Sequence, residues 1–197
     1  MSRKDDLIME ILNRELKMFL SVPTQQKASC QEHPEDFKLV RGSQFQTWSE
    51  DTLESYIDDL KAAEKNGVNL MTQKYARMDN LIPKLKDIPV IDEIVKIQYA
   101  WQKEMFENYP NVMSKARPLS SSEDTSHGTS FETYLKGELE TYSDKTLSLL
   151  YRDIKESWDN EDNMTERVYD YMVKKLEYDS LDDAEETVKR QKEAEIS

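Results

Sequence analysis

The sequence predicts an all-α fold built from two similar four-helix halves about a pseudo-two-fold axis. Three observations predict it. Apolar residues recur with the 3.6-residue period of an α-helix along most of the chain. Glycine and proline are scarce, at 4 and 6 of 197 residues, which favours helices over a β-sandwich. Residues 33–78 match residues 127–172 without a gap at 12 of 46 positions, which indicates an internal duplication.

The first half is predicted to contain four helices. They are expected at about residues 5–20, 35–47, 50–66 and 70–78. Ser49 and Asn69 precede the last two and are suitable N-caps, because their side chains can accept a hydrogen bond from the first helical turn. Asn66-Gly67 supplies a stop signal. Glu15 lies among the apolar residues on one face of the first helix.

The second half repeats this order, with Ser143 and Asn163 at the two N-cap positions, 94 residues after their counterparts. The leading helices match at a different offset: Ile91 falls on Ile8, 83 residues earlier. The second half therefore carries about 11 extra residues, the difference between 94 and 83, in the stretch 108–126.

The whole chain is expected to form one domain, because each half alone has too little apolar surface for a comfortable core. The segment between the halves contains Pro83 and Pro89, which are typical of a linker. The predicted order is repeat 1 at about 5–79, a linker at 80–90, repeat 2 at about 91–177 and a C-terminal helix at 180–195.

Charge and composition exclude several classes of function. The balance of 27 basic to 40 acidic residues gives a net charge of −13, which repels nucleic acid and an anionic membrane surface. The polar start has no signal-peptide core, and no apolar run approaches the length of a membrane span. The single cysteine, Cys30, cannot form an internal disulfide. We therefore expect a cytoplasmic protein that binds neither nucleic acid nor membrane.

Several short segments carry a family resemblance. They are Arg41-x-Ser43-Gln44-Phe45-x-x-Trp48, Lys74-Tyr75-Ala76-Arg77-Met78, Ser121-Ser122-Glu123-Asp124-Thr125 and Ser130-Phe131-Glu132-Thr133-Tyr134-Leu135-x-Gly137-Glu138-Leu139. Together they resemble an uncharacterised bacterial family, domain of unknown function 4125, over about Leu7 to Ala184. The resemblance implies a bacterial or related origin and a helical fold. It implies no reaction, and it does not require histidine at positions 33 or 127.

The two histidines, His33 and His127, occupy equivalent positions and suggest a metal site near the axis, with Glu32, Glu123 and Asp124 as nearby carboxylates. Structural zinc needs three or four Cys or His ligands, and the chain has three such residues in all. The Glu-x-x-His pattern of di-iron bundles is absent. We therefore predict no metal and no cofactor, and we interpret the histidines as polar loop residues.

A cysteine nucleophile is the second catalytic hypothesis, with Cys30 activated by His33 or His127. A lone cysteine beside a helix start is more often a small, partly buried apolar residue. The sequence contains no Gly-x-Ser-x-Gly motif, phosphate-binding glycine loop or Walker lysine. No catalytic residue is assigned.

The second helix of each half carries the most informative face. In the two halves this face consists of Phe37, Arg41, Gln44 and Trp48, and of Phe131, Leu135, Glu138 and Tyr142. It is aromatic at both ends and polar between them. A buried arginine needs a partner, and Glu138 is the favoured one. The alternatives are an Arg41–Glu138 ion pair that bridges the halves, or a polar pocket between aromatic walls for a small charged ligand.

The extra segment, Tyr109 to Ser130, is the other candidate, because a loop of this length in a compact domain is usually functional or disordered. Its serines and acids also suit ordinary turn and N-cap duty. If the loop serves a ligand, Arg117 would bind an anionic group while Glu123 and Asp124 adjust the local charge, at a site between the halves.

The function predicted from the sequence is a binding or accessory module for an unidentified small molecule or protein. The candidate ligand-binding residues are Arg41, Gln44, Trp48, Arg117, Glu123, Asp124, Tyr134 and Glu138. The alternative is an enzyme that acts on a small metabolite through carboxylates and an arginine. An enzyme should show a deep pocket where strongly shifted carboxylates converge, whereas a binding module should show a shallow groove or an apolar patch.

Overall fold

The computed structural model describes residues 2–23, 34–125 and 128–196, and most of these residues are helical. The helices are α1 Arg3–Leu20, α2 Pro34–Gln46, α3 Glu50–Lys65, α4 Leu70–Met78, α5 Pro89–Asn108, α6 Phe131–Leu139, α7 Asp144–Asp159, α8 Met164–Lys175 and α9 Leu181–Ile196. Two short 3-10 turns, Val112–Lys115 and Ser121–Glu123, lie between α5 and α6. The described residues form no β-strand, so the all-α prediction is confirmed.

Local sequence sets the helix starts. The hydroxyl of Ser2 accepts from the Asp5 N–H at 3.2 Å and the Asp5 carboxylate accepts from the Ser2 N–H at 2.9 Å, so α1 begins two residues before its predicted start. Pro89 is the first residue of α5, not part of the linker, because the first helical turn needs no N–H from it.

The four predicted N-caps are present. Each side-chain oxygen accepts a hydrogen bond from the backbone N–H three residues ahead, which satisfies one unpaired donor of the helix start. The distances are 3.3 Å at Ser49, 3.0 Å at Asn69, 3.2 Å at Ser143 and 3.0 Å at Asn163.

The ends of α3 and α7 have the same shape. Gly67 lies just past α3 with a φ of 66°, and Glu161 lies just past α7 with a φ of 55°. Each reversal is closed by a backbone bond of 2.9 Å, from Val68 to Ala63 and from Asp162 to Ser157. Glycine adopts this left-handed conformation at no steric cost, which explains the predicted stop at Asn66-Gly67.

The helices pack in two local groups joined by cross-contacts. Helix α1 packs against α2, α3 and α4, and α5 packs against α6, α7 and α8. Three further pairs join the groups: α2 with α8, α4 with α6, and α3 with α7. Helix α9 packs on α8 and on the turn at Val112–Lys115.

The main buried cluster draws side chains from all of α1 to α8, with Phe45, Tyr56 and Tyr142 among its largest fully buried members. Helix α9 packs on a smaller cluster around Met105 and Met113. The two local groups therefore share one apolar interior.

Gly137 allows α4 and α6 to approach closely. A Cβ atom there would lie 3.0 Å from Met78 Cγ and 3.2 Å from the Lys74 carbonyl oxygen, both tighter than ordinary contacts. The close approach places Lys74 beside Glu138, which follows Gly137 on α6.

Candidate functional site

A cavity of about 510 Å³ lies where α2, α4, α5, α6 and α8 converge. Many of the residues in its wall are aromatic residues or methionines. These lining residues are Phe19, Phe37, Trp48, Tyr75, Trp101, Phe131, Tyr134, Tyr169, Met71, Met164 and Met172. The volume falls within the range of small-molecule sites, and an apolar wall with a few polar groups is typical of them.

Four charged side chains form a buried network at one side of this cavity. Glu15, Arg41, Lys74 and Glu138 are each at most 3% exposed. Arg41 binds both oxygens of Glu15, with Nε to Oε2 at 2.9 Å and Nη2 to Oε1 at 2.6 Å. Its Nη1 donates to Glu138 Oε1 at 2.8 Å, and Lys74 Nζ donates to Glu138 Oε2 at 2.5 Å. Two cations and two carboxylates give no net charge, which makes their burial tolerable.

Neutral groups complete the network. Tyr56 donates its hydroxyl hydrogen to Glu15 at 2.7 Å, and the Tyr142 hydroxyl donates to Glu138. The amide oxygen of Gln44 accepts from Arg41 at 2.8 Å. Among the described residues, no buried side-chain polar atom lacks a hydrogen-bond partner. Each polar side-chain atom of the network therefore has at least one partner, which makes the network a rigid base for the cavity.

The network favours the ionised forms of Glu138, Lys74 and Arg41. Burial alone would raise the pKa of Glu138, but Arg41 and Lys74 lie so close that this pKa falls well below its usual range. Burial alone would lower the pKa of Lys74, but the Glu138 carboxylate keeps it above its usual value. Burial likewise opposes the charge of Arg41, while Glu138 and Glu15 raise its pKa.

The two buried tyrosines stay protonated. Burial and the adjacent Glu15 carboxylate raise the pKa of Tyr56 well above its usual value. Burial and Glu138 do the same for Tyr142. Both phenols therefore act as fixed hydrogen-bond donors at neutral pH.

The ring of Tyr134 contacts two cations at the cavity wall. Lys74 Nζ sits 3.7 Å from the centre of its ring, and Arg117 Cζ sits 4.8 Å from it. Arg117 is exposed and is held in place by Thr129, to whose carbonyl and hydroxyl oxygens its Nη1 donates at 2.9 Å. A buried cation and an exposed cation thus make cation–π contacts with the same aromatic ring.

The charged side chains that line the cavity are mostly cationic. The cations are Arg41, Lys74, Lys115 and Arg117, and the anions are Asp36 and Glu138. Four positive and two negative side chains line the cavity, and Glu15, which binds Arg41 from outside the lining, lowers the local charge from +2 to +1. The whole chain has a net charge of −13. The cavity is therefore a positive spot on an acidic protein.

The structure brings six of the eight sequence-predicted site residues together in the lining. These are Arg41, Gln44, Trp48, Arg117, Tyr134 and Glu138. The Arg41–Glu138 ion pair is present, although Glu15 and not Glu138 is the bidentate partner of Arg41.

Glu123 and Asp124 do not line the cavity and have local structural roles. The Glu123 carboxylate accepts from the Ser120 N–H at 3.0 Å and caps a 3-10 turn. Asp124 accepts from the Ser130 N–H at 2.6 Å and from the Thr133 hydroxyl, at the start of α6. Burial alone would raise the pKa of Asp124, but these hydrogen bonds hold it below its usual value. These hydrogen bonds are the turn and N-cap roles that the sequence offered as the alternative for this segment.

Sequence analysis missed Glu15 and Lys74 as members of the site. Glu15 lies on the apolar face of α1, and that position was the one available signal, because a carboxylate among core residues must find a cation. Lys74 had no local signal, since its burial depends on the approach of α6 to α4.

The metal and nucleophile hypotheses involve Cys30, Glu32, His33 and His127, which lie outside the described residues. Among the residues that are described, no group of three or more His, Cys, Asp or Glu side chains is arranged to hold a metal ion. None of the described helices combines the length and the apolar character needed to cross a membrane.

Comparison with known families gives one match. The model of a family described as protein of unknown function (DUF4125) matches residues 5–186. No curated protein and no solved structure matches the chain.

Proposed function

We propose that this chain, which belongs to the DUF4125 family of proteins of unknown function, is a small-molecule binding module. The proposal is based on its cavity. The ligand would occupy the space between the two halves, against the buried network of Glu15, Arg41, Lys74 and Glu138. One observation carries the proposal: a cavity of about 510 Å³ has aromatic side chains in its wall and, at its base, charged groups fixed by buried ion pairs.

The state of Glu138 favours binding over catalysis. A general base works best when its pKa lies near the operating pH. Glu138 is held ionised far below that range and accepts from Arg41, Lys74 and Tyr142 at once. It is thus a weak base, and both of its oxygens already accept hydrogen bonds. The alternative, an enzyme that uses carboxylates and an arginine, has less support from this geometry.

We also propose that the chain is a duplication and that its halves are related by a pseudo-two-fold axis. Matched hydrogen bonds support this. The Ser49 N–H donates to Asp153 Oδ2 at 2.9 Å, and the Ser143 N–H donates to Asp59 Oδ2 at 3.0 Å. Ser143 follows Ser49, and Asp153 follows Asp59, by the same 94 positions. Each half thus donates one of these hydrogen bonds to the other half and accepts the equivalent bond from it.

The ion pairs between α3 and α7 also occupy equivalent positions in the two halves, but the acidic residue always belongs to α3 and the basic residue to α7. Arg152 Nη1 lies 3.2 Å from Asp51 Oδ2, and Lys145 Nζ lies 3.9 Å from Asp58 Oδ2. Lys145 is equivalent to Asp51, and Arg152 to Asp58, at the 94-residue offset. An acid in the first half therefore faces a base in the second at both symmetric places.

The cross-contacts of the helices support the same axis. Helix α2 packs on α8 and its counterpart α6 packs on α4, while α3 packs on its own counterpart α7. The cavity lies between α2, α4, α6 and α8, so the proposed axis passes through it. This shared arrangement is why we propose one domain for the chain.

The composition of the chain also bears on its cellular location and on its partners. A chain with one cysteine suits a reducing cytoplasm, and an acidic surface disfavours nucleic acid as a partner. We therefore propose that the protein is bacterial and cytoplasmic.

The proposal is tested by a thermal-shift screen of small metabolites against the wild type and a variant with a filled cavity. Val168 on α8 is partly exposed and lines the cavity, so Val168→Trp adds bulk there without entering the core. Leu176→Trp is the matched control, because Leu176 lies at the end of α8, is 55% exposed and does not line the cavity. A ligand at 100-fold its dissociation constant adds about 2.7 kcal/mol to stability.

We expect at least one compound to stabilise the wild type and Leu176→Trp equally, and to lose its effect on Val168→Trp. Compounds that stabilise all three proteins alike would bind elsewhere and would contradict the proposal.

A further inference from the structure

We infer that the ligand of this cavity is an anion with a flat apolar body, such as an aromatic carboxylate, whose charged group binds Lys74 and Arg117. The inference rests on the proposed binding function and adds the chemistry of the ligand. It starts from the excess of cationic over anionic side chains in the lining, four against two.

The two cations beside Tyr134 have donors for such a group. Among the described residues, Glu138 is the one acceptor bound by Lys74 Nζ, and an ammonium carries three N–H donors. Within the described ranges Arg117 donates through Nη1 to Thr129, and the other N–H groups of its guanidinium make no hydrogen bond there, so they can bind a ligand. Charge-assisted hydrogen bonds from two cations are stronger than neutral ones and select an anion.

The cavity is polar on one side and apolar on the other. At the 94-residue offset, Arg41 is matched by Leu135 and Lys74 by Val168, and all four side chains line the cavity. At these two matched positions the cation therefore comes from the first half and its apolar counterpart from the second. An amphipathic ligand fits such a cavity in one orientation, with its charge toward Lys74.

Aromatic side chains favour a flat body for the rest of the ligand. Trp48 and Trp101 are buried, and both line the cavity together with Tyr134 and Phe131. Rings pack well against flat apolar groups in offset or edge-on contact, and such contacts add to the free energy of simple burial.

Two fluorescent probes with the same rings separate charge from apolar fit. 8-Anilinonaphthalene-1-sulfonate is an anion, and N-phenyl-1-naphthylamine lacks the sulfonate. Arg117 is exposed, so Arg117→Gln removes a rim cation without opening the core. Lys136→Gln is the matched control, because Lys136 is a cation on α6 that pairs with Glu132 and does not line the cavity.

We expect Arg117→Gln to weaken binding of the anionic probe about tenfold, the effect of losing one charge-assisted bond. Binding of the neutral probe should not change, Lys136→Gln should affect neither probe, and Arg117→Lys should restore most of the affinity for the anion. The last result separates the charge of Arg117 from its stacking on Tyr134.

Arg117→Gln weakening both probes equally, or neither, would overturn the anion inference while leaving the binding function intact. If Val168→Trp leaves the binding of both probes unchanged, neither probe occupies the cavity, and the proposed function fails together with this inference.

Discussion

Replacing Arg41 by methionine is expected to lower the free energy of unfolding by about 3–5 kcal/mol, as for the loss of one partner in a buried ion pair. Arg41 neutralises Glu15 and shares the neutralisation of Glu138, and both carboxylates are buried. Without it, two carboxylates would face one ammonium in a low-dielectric interior. The cost therefore reflects the charge left behind more than the bonds that are lost.

Urea unfolding followed by circular dichroism measures this change, and Arg14→Met is the matched control. Arg14 makes surface pairs with Glu10 and Glu64, so its loss should cost about 1 kcal/mol or less. Arg41→Lys keeps the charge but not the two-pronged contact with Glu15, and should fall between the two. A midpoint for Arg41→Met equal to that of Arg14→Met would contradict the buried network.

Lys74 and Glu138 are expected to be strongly coupled. Each of Lys74→Met and Glu138→Gln leaves one uncompensated charge in the network, at a cost of about 3–5 kcal/mol. The double variant retains the neutral Arg41–Glu15 pair, so it should cost much less than the sum of the single variants. Additive costs would mean that the two groups do not share one charge balance.

The same double variant gives a test through pH. The pKa of Glu138 is lower in the folded state than in the unfolded one, so its contribution to stability is complete above the unfolded value near 4.3. It decreases as the pH falls below that value. Between pH 7 and pH 3 the wild type should lose about 2 kcal/mol more than the double variant, which lacks this carboxyl group. Equal losses would show that Glu138 is not held ionised.

Local sequence predicted most of the helices because their ends depend on neighbouring residues. The caps at Ser49, Asn69, Ser143 and Asn163 satisfy donors three residues away, so no tertiary contact is needed to recognise them. The extra segment between α5 and α6 was predicted in position but not in structure. Its turns are fixed by individual hydrogen bonds, such as that of Glu123 to Ser120.

The site was predictable only where two equivalent faces differ. Arg41 opposite Leu135, and Glu138 opposite Gln44, drew attention because the proposed duplication provides a second copy for comparison. Lys74 also differs from its counterpart Val168, but nothing in α4 alone indicates that it is buried. Its position depends on the close approach of two helices that lie far apart in sequence.

The most direct measurement of the central claim is a methyl NMR titration of methionine-labelled protein with 8-anilinonaphthalene-1-sulfonate. Of the 9 methionines, Met71, Met164 and Met172 line the cavity, whereas Met9 is exposed on α1 and Met113 lies in the smaller cluster. The aromatic probe should shift the three cavity methyl signals, with saturation at one probe per chain, and leave those of Met9 and Met113 in place. Shifts confined to Met9 or Met113, or none at saturating probe, would contradict a binding site between the halves.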